Sequence, residues 1–326
     1  MAAGPRSLEG RRFWRELRET VGIAAVVADE PLRLLAIALL AEGHALVEDV
    51  PGVGKTLLTR AFSRALGLTF ARVQGTPDLL PGDVLGASLL EGDHFRFVPG
   101  PVFTNVLLFD EINRATPRTQ SALLEAMQEA QVSIEGETRP LPDPFLVLAT
   151  QNPIELEGTF ALPEAQLDRF LVRLRLGYPD RKDERRIASR YQTAAEPLLA
   201  VEPIIDASAL LAMREAVRTV AVADPVEEYV VALVQASREL SELRLGASPR
   251  ASVALYRAAQ ASAYLDGRDF VLPDDVKGVA AAVLGHRVLL DLDRQLRGVT
   301  VEAVIDGLLG AVDAPPLDGA EGTSAP

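Results

Sequence analysis

The sequence predicts an α/β domain built on a parallel sheet and carrying hairpin insertions, followed by an all-α domain. Three observations lead there. Short β-type runs alternate with helix-type runs between about Glu42 and Gly177, the pattern of strands joined by crossover helices. Two of those runs, Val106-Leu107-Leu108-Phe109 and Phe145-Leu146-Val147-Leu148-Ala149, are apolar throughout, as strands covered on both faces are. From Asp180 onward the β signal fades and an Ala-, Leu- and Arg-rich helical periodicity takes over.

Residues 1–30 read as a helical lead-in. Met1 to Arg12 carries basic residues but runs into Phe13-Trp14-Arg15-Glu16 without the apolar stretch of a secretory signal. The α/β core takes residues 31–179, with strands expected at Ala45–Glu48, Thr69–Gln74, Val106–Phe109, Phe145–Ala149 and Val172–Leu176. Two segments, Leu85 to Pro101 and Gln131 to Pro144, interrupt the alternation, and each looks like an inserted hairpin. In the first, Ala87–Glu91 and His94–Val98 flank Gly92-Asp93; in the second, Val132–Glu135 and Glu137–Arg139 flank Gly136. Such hairpins suit contact with a partner, although a decorative surface loop has the same pattern. Tyr178-Pro179-Asp180 has the chemistry of a break followed by a helix cap, so the helical domain is expected over residues 180–312. Its helices are expected at Asp206–Val217, Pro225–Glu242, Pro249–Leu265 and Pro273–His286. Residues 313–326, with Pro315-Pro316 and Gly319 to Pro326, read as a disordered tail.

Bulk properties remove several classes of function. The chain has no Cys, which excludes disulfides, thiolate metal sites and cysteine nucleophiles. Apolar stretches such as Leu34 to Ala41 fall well short of the ~20 residues that cross a bilayer, so no membrane span is expected and the cytoplasm is the expected location. A net charge of −13 repels a phosphate backbone, which disfavours nucleic acid and leaves protein partners as the better fit. A local basic patch is compatible with that total.

The chemistry begins at Ala45-Leu46-Val47-Glu48, followed by Asp49-Val50-Pro51-Gly52-Val53-Gly54-Lys55-Thr56 and the helix-forming stretch Leu57 to Leu66. Gly52 and Gly54 permit backbone conformations that aim N–H groups at phosphate, and a helix N-terminus adds a favourable dipole. Pro51, Gly52, Val53, Gly54, Lys55, Thr56 and Leu57 are therefore the candidate nucleotide-binding residues. Lys55 is placed to reach the β and γ phosphates, and the Thr56 hydroxyl to ligate Mg²⁺. The first glycine of the usual phosphate-loop pattern is replaced by Asp49, and a turn with an exposed lysine remains the plain alternative. About fifty residues on, the apolar run ends in Asp110-Glu111. Asp110 can hold Mg²⁺ and Glu111 can polarise an attacking water, although acidic pairs after strands also serve as simple caps.

Further stretches occur in a fixed order: Gln74-Gly75-Thr76-Pro77-Asp78-Leu79-Leu80-Pro81, Phe95-Arg96-Phe97-Val98-Pro99-Gly100-Pro101, Asp110-Glu111-Ile112-Asn113-Arg114-Ala115, Thr150-Gln151-Asn152-Pro153, Gly158 to Phe170 and Gly246-Ala247-Ser248-Pro249-Arg250-Ala251. With Gly43 to Thr56 they resemble the AAA+ superfamily and, more narrowly, its MoxR-type ATPases, over about Ala28 to Leu309. The resemblance implies a P-loop (AAA+) nucleotide-binding core with a helical lid, ATP and Mg²⁺ as ligands, and hydrolysis in a homo-oligomeric ring, a hexamer. It assigns Asn152 as the sensor-1 residue that orients water, Arg169 as the arginine finger entering the neighbouring site, and Arg250 as the sensor-2 arginine of the lid. An arginine finger is worth roughly 10³ to 10⁵ in rate. Each has a plainer alternative: a turn Asn before Pro153, a helix-end Arg169 paired with Glu164 or Asp168, and a solvated Arg250. Arg173 and Arg175 compete with Arg169 for its role.

Where many members carry Gly-Gln, this chain has Ala28 and Asp29, so no residue is assigned to the adenine. The resemblance also implies a protein client, with a von Willebrand factor A domain protein as one such partner. Three other readings share these residues: an ATP-dependent scaffold that scarcely hydrolyses, a magnesium-chelatase-like motor subunit and an MCM-like motor. The intact Glu111 speaks against the first, and the acidic balance against the last.

Overall fold

The computed structural model describes residues 5–91, 94–152, 158–190 and 196–316. The Gly92-Asp93 turn, Pro153, the first four residues of the lead-in and the tail from 317, all named above, lie outside the described residues. The chain forms two compact units: residues 12–215, and a second made of the stretch up to Arg11 with Ala216 onward.

Helix α1 (Pro5–Ala24) is divided between the units at Arg11–Arg12, and in the first unit α2 (Asp29–Leu40) leads to β1 (Ala45–Glu48), then α3 (Lys55–Ala65) and β2 (Phe70–Gln74). Helix α4 (Pro81–Leu85) introduces the hairpin β3 (Gly86–Glu91) and β4 (His94–Pro99), followed by β5 (Val106–Asp110) and α5 (Pro117–Glu129). A second hairpin, β6 (Gln131–Ile134) and β7 (Glu137–Pro140), precedes β8 (Leu146–Gln151), α6 (Glu164–Leu167), β9 (Val172–Leu174) and α7 (Arg181–Arg190). Strands β2-β5-β8-β1-β9 form one sheet with every pairing parallel. The apolar β5 is buried along its whole length, as its composition demands, whereas the polar β2 forms an edge and is only partly covered. Phe109, Val147, Leu123 and Phe170 are among the side chains of the core between sheet and helices. Burial of each contributes about 1.5–3 kcal/mol.

Both hairpins form where expected. In the second, Glu135 and Gly136 adopt φ of 53° and 82°, the two left-handed positions of a tight hairpin turn, so β6 stops at Ile134 rather than Glu135. The Arg139 guanidinium stacks 4.3 Å over the Phe97 ring, joining the two hairpins.

The second unit carries most of the remaining helices. Helix α8 (Ala207–Arg218) straddles the division, and α9 (Asp224–Ser237), β10 (Leu243–Leu245), α10 (Pro249–Leu265), α11 (Pro273–Leu284), β11 (Leu289–Leu290), α12 (Leu292–Leu296) and α13 (Val301–Ala311) follow. Pro225, Pro249 and Pro273 each occupy the first turn of a helix, as the sequence pattern requires. Two details differ from expectation. Leu243 and Leu290 pair in a small antiparallel ribbon within a domain expected to be all helical. Helix α9 stops at Ser237 instead of Glu242, because the chain returns there: Ala247 donates to Ser237 Oγ and Arg238 Nε to the Ala247 carbonyl, at 3.0 and 2.8 Å.

The cap expected at Asp180 forms, with Asp183 N donating to Asp180 Oδ1 at 2.7 Å. The compact units nevertheless divide at Glu215–Ala216, not at residue 180. Long-range bonds explain the difference. Arg64 Nε donates to the Val201 carbonyl, Ile204 N to the Ala65 carbonyl and Arg214 Nε to the Leu39 carbonyl, at 2.6, 2.8 and 2.9 Å, which stitches this stretch to the α/β unit. No helix among the described residues is long and apolar enough to cross a membrane.

Candidate functional site

The phosphate loop leaves β1 and enters α3. Gly52 and Gly54 have φ of 85° and 88°, and an added Cβ would meet nothing within 4 Å at either. Glycine is thus required there by backbone conformation, not by crowding, and the loop stays open on that side. Gly54 caps α3 without any side-chain bond, so the N–H groups of Lys55, Thr56 and Leu57 have no acceptor within the helix and face outward with the positive end of its dipole. Lys55 Nζ donates to the Asp49 carbonyl at 3.0 Å. Burial lowers its pKa, opposed by the charges of Asp49, Asp110 and Glu111, so the ammonium sits among three carboxylates.

Asp49, the residue standing where a glycine was expected, has a structural task. Its Oδ2 accepts from Leu176 N at 2.6 Å and Gly177 N at 2.9 Å, and its Oδ1 from Val50 N at 3.0 Å. These bonds fasten the phosphate loop to the chain leaving β9. They also explain why β9 ends at Leu174 rather than Leu176, since the later N–H groups turn to a side chain instead of the sheet.

Asp110 ends β5, and both its oxygens are engaged: Oδ2 accepts from Arg72 Nε at 2.7 Å and Oδ1 from Thr150 Oγ1 at 3.2 Å. Glu111 follows in a left-handed conformation, φ 54° and ψ 53°. Its N–H donates to Thr150 Oγ1 at 2.9 Å, and its Oε2 accepts from Gln74 Nε2 at 2.8 Å and Arg114 Nη1 at 3.0 Å. Gly75 must be glycine, because a Cβ there would collide with the Glu111 carbonyl oxygen. Thr150, Arg72, Gln74 and Arg114 are contacts that sequence reasoning did not assign. Their signal was only that Gln74, Arg114 and Thr150 lie in the ordered motif stretches.

Asn152 follows β8 and is 6% exposed. The pairing of Val47 with Thr150 and of Phe109 with Ala149 sets the end of β8 between those of β1 and β5. Glu111, Asp110, Lys55 and Asn152 therefore gather at the carboxyl edge of the parallel sheet, where ligands bind in open α/β folds. Arg169 lies in the same unit, two residues past α6, with its Nε buried and lacking a hydrogen-bond partner. Its competitors are committed elsewhere: Arg173 and Arg175 approach Glu48 Oε2 at 3.2 and 3.7 Å. Arg250 belongs to the second unit, exposed at the start of α10, where its N–H donates to the cap Ser248 Oγ at 3.2 Å.

The open glycine loop, the uncapped helix start and Lys55 fit a nucleotide's phosphates. Among the described residues no group of three or more His, Asp or Glu could hold a metal alone. Thr56, at the start of α3, and Asp110, at the end of β5, are the residues that would hold Mg²⁺, an ion that takes few protein ligands and completes its shell with phosphate oxygens and water; Asp110 would do so through an oxygen it shares with Arg72 or Thr150.

Comparison with known proteins agrees with this geometry. Residues 44–172 match the ATPase family associated with various cellular activities (AAA), and residues 235–307 match the AAA lid domain. The chain is 46% identical to YeaC of Bacillus subtilis over 89% of its own length and 91% of that protein. It is 43% identical to the chaperone MoxR1 of Mycobacterium tuberculosis, over 89% of this chain and 79% of the relative. A crystal structure from Cytophaga hutchinsonii, described as a presumed ATPase, superposes with a TM-score of 0.89 at 38% identity, covering 95% of this chain and 97% of that one.

Proposed function

Starting from the chain's membership of the MoxR-type ATPases of the AAA family, to which it belongs, we propose that it works as a hexameric ring that remodels or activates partner protein complexes. Hydrolysis of ATP is the activity of the family and of this chain. The observation that supports the site reading is the gathering of an open, uncapped phosphate loop, Lys55 and the Asp110-Glu111 pair at one edge of the sheet.

In this reading the N–H groups from Pro51 to Leu57 that face the loop, together with Lys55, hold the phosphates. Thr56 and Asp110 hold Mg²⁺, which when bound neutralises charge on the β and γ phosphates. Glu111 takes the proton of the attacking water and Asn152 orients that water. Arg169 enters the neighbouring subunit's site, a role favoured over Arg173 and Arg175 because Glu48 holds both of those. Arg250 keeps the sensor-2 role that the resemblance gives it. The hairpins contact the client: Leu90 and Phe95, paired across the first, are 65% and 71% exposed and supply an apolar tip for it. A von Willebrand factor A domain protein is one client of this type, the cytoplasm the place of action, and nucleic acid is opposed by the net charge of −13.

A second reading has one specific support. The Glu111 carboxylate is held by both Gln74 and Arg114, as expected of a nucleotide-dependent scaffold that hydrolyses little. Steady-state hydrolysis by the wild type and Glu111→Gln, with light scattering in the presence and absence of ATP and Mg²⁺, separates the two. The motor reading expects turnover that Glu111→Gln abolishes, by about 10²-fold or more, while the variant accumulates as an ATP-bound ring. Wild-type binding without Glu111-dependent turnover would leave the scaffold.

A further inference from the structure

Gln120, on α5, is 1% exposed. Its side-chain amide donates to three main-chain carbonyls, those of Ile112 at 3.0 Å, Ala115 at 3.2 Å and Phe160 at 2.9 Å. The first two belong to the turn that follows Glu111, and the third to the segment that runs to Arg169. Phe160 is tied to the same turn a second time, its N–H donating to the Asn113 carbonyl at 2.6 Å. The next residue of α5, Ser121, accepts from Gln166 Nε2 at 3.4 Å, three positions before Arg169. Leu162 and Phe170, 7% and 0% exposed, anchor the segment in the core on either side of α6. The turn beside Glu111 and the segment that carries Arg169 are thereby one hydrogen-bonded piece.

We propose that Gln120 is a positioning residue that couples a subunit's own nucleotide site to the arginine it lends its neighbour. The proposal rests on the reading of Arg169 given above. An NH₂ group has two hydrogens and here faces three acceptors, so one hydrogen is shared. A small shift of the Glu111 turn therefore redistributes these bonds and is felt at Phe160. The Ile112 and Ala115 carbonyls belong to fully buried residues and are costly to leave without this donor, so Gln120 stays fixed to the Glu111 turn and carries its shift to Phe160.

The test is a double-mutant cycle. The kcat and KM for ATP are measured for the wild type, Gln120→Met, Arg169→Ala and the double variant. Met keeps the length and helix preference of Gln while removing both donors. Gln120→Met is expected to lower kcat by about 10²-fold, the loss typical of a ~1 Å misplacement, with KM for ATP changed by less than about threefold. The double variant is expected to be no slower than Arg169→Ala alone, because one role cannot be lost twice. Additive losses would overturn the proposal, and so would a wild-type kcat in Gln120→Met when Arg169→Ala is slow. A wild-type kcat in Arg169→Ala would instead remove the arginine reading itself, and this coupling with it. Should Gln120→Met fail to assemble, Gln120→Asn, one methylene shorter, goes through the same cycle and is judged by the same non-additivity.

Discussion

Restoring the glycine that the phosphate-loop pattern expects should damage this protein. In Asp49→Gly the carboxylate that accepts from Leu176, Gly177 and Val50 disappears. A hydrogen bond to a charged group is worth about 1.5–3 kcal/mol net. Gly177 is exposed and can turn to water, whereas Leu176 is half-buried and cannot do so freely. The loss is thus one full charge-assisted bond, a fraction of two others, and the backbone freedom of one more glycine, in all about 3–4 kcal/mol. Asp49→Asn separates the parts. An amide oxygen in place of Oδ2 keeps both long-range bonds and gives up the charge and the Val50 bond, for a cost of about 1 kcal/mol. Urea unfolding and ATP affinity by calorimetry are the assays. The expected order of stability and of ATP affinity is wild type, Asn, then Gly, with the larger step between Asn and Gly. An Asp49→Gly protein as stable and as tight-binding as the wild type would show that Asp49 does not hold the loop.

Two further outcomes follow from buried groups. His44 is fully buried and neutral, its Nδ1 accepting from Val147 N and its Nε2 donating to the Met127 carbonyl at 3.1 and 3.0 Å, and burial lowers its pKa from 6.5 to about 4. The unfolded chain takes up that proton first as pH falls, so this stability is full above 6.5 and is lost between 6.5 and about 4. Denaturant titrations at pH 7 and pH 5 should show the wild type losing about 2 kcal/mol more than His44→Gln, and equal losses would remove His44 as the cause. Thr150→Val keeps shape but deletes the hydroxyl that links Asp110 to the Glu111 N–H, and should lower kcat by about tenfold or more while ATP affinity stays within about threefold. An unchanged kcat would mean that Glu111 is placed without Thr150.

What the sequence disclosed is what local physics controls. Gly52 and Gly54 stand out because L residues avoid their positive φ, β5 because only a strand covered on both faces is apolar throughout, and α10 because Ser248-Pro249 is a cap followed by a first-turn proline. What it concealed depends on partners far along the chain. Asp49 looked like a missing glycine because Leu176 and Gly177 are more than a hundred positions away. The unit division at Glu215 follows from Arg64 and Arg214 reaching across the fold, and the β10–β11 ribbon from leucines with no alternation of their own. Gln120 reads on α5 as one more polar helix residue, and only its burial against three carbonyls separates it from the others.

The charges at the sheet edge bear on whether one subunit can complete the reaction alone. Lys55 sits near Asp49, Asp110 and Glu111, while Arg72 pairs with Asp110 and Arg114 with Glu111. Three cations there meet three carboxylates, a balance struck before any phosphate arrives. Arg173 and Arg175 add nothing free, because Glu48 engages both. Phosphoryl transfer spreads further negative charge over the γ-phosphate oxygens and needs positive charge directed at them. Lys55, Arg72 and Arg114 can supply it by leaving these pairings, which strips a carboxylate, Asp110 or Glu111, of its cationic partner in a half-buried site. Bound Mg²⁺ would supply part of the need. The remainder is most economically met by an arginine brought from outside these pairings, which in the reading proposed above is the task of Arg169, whose Nε is buried and unpartnered.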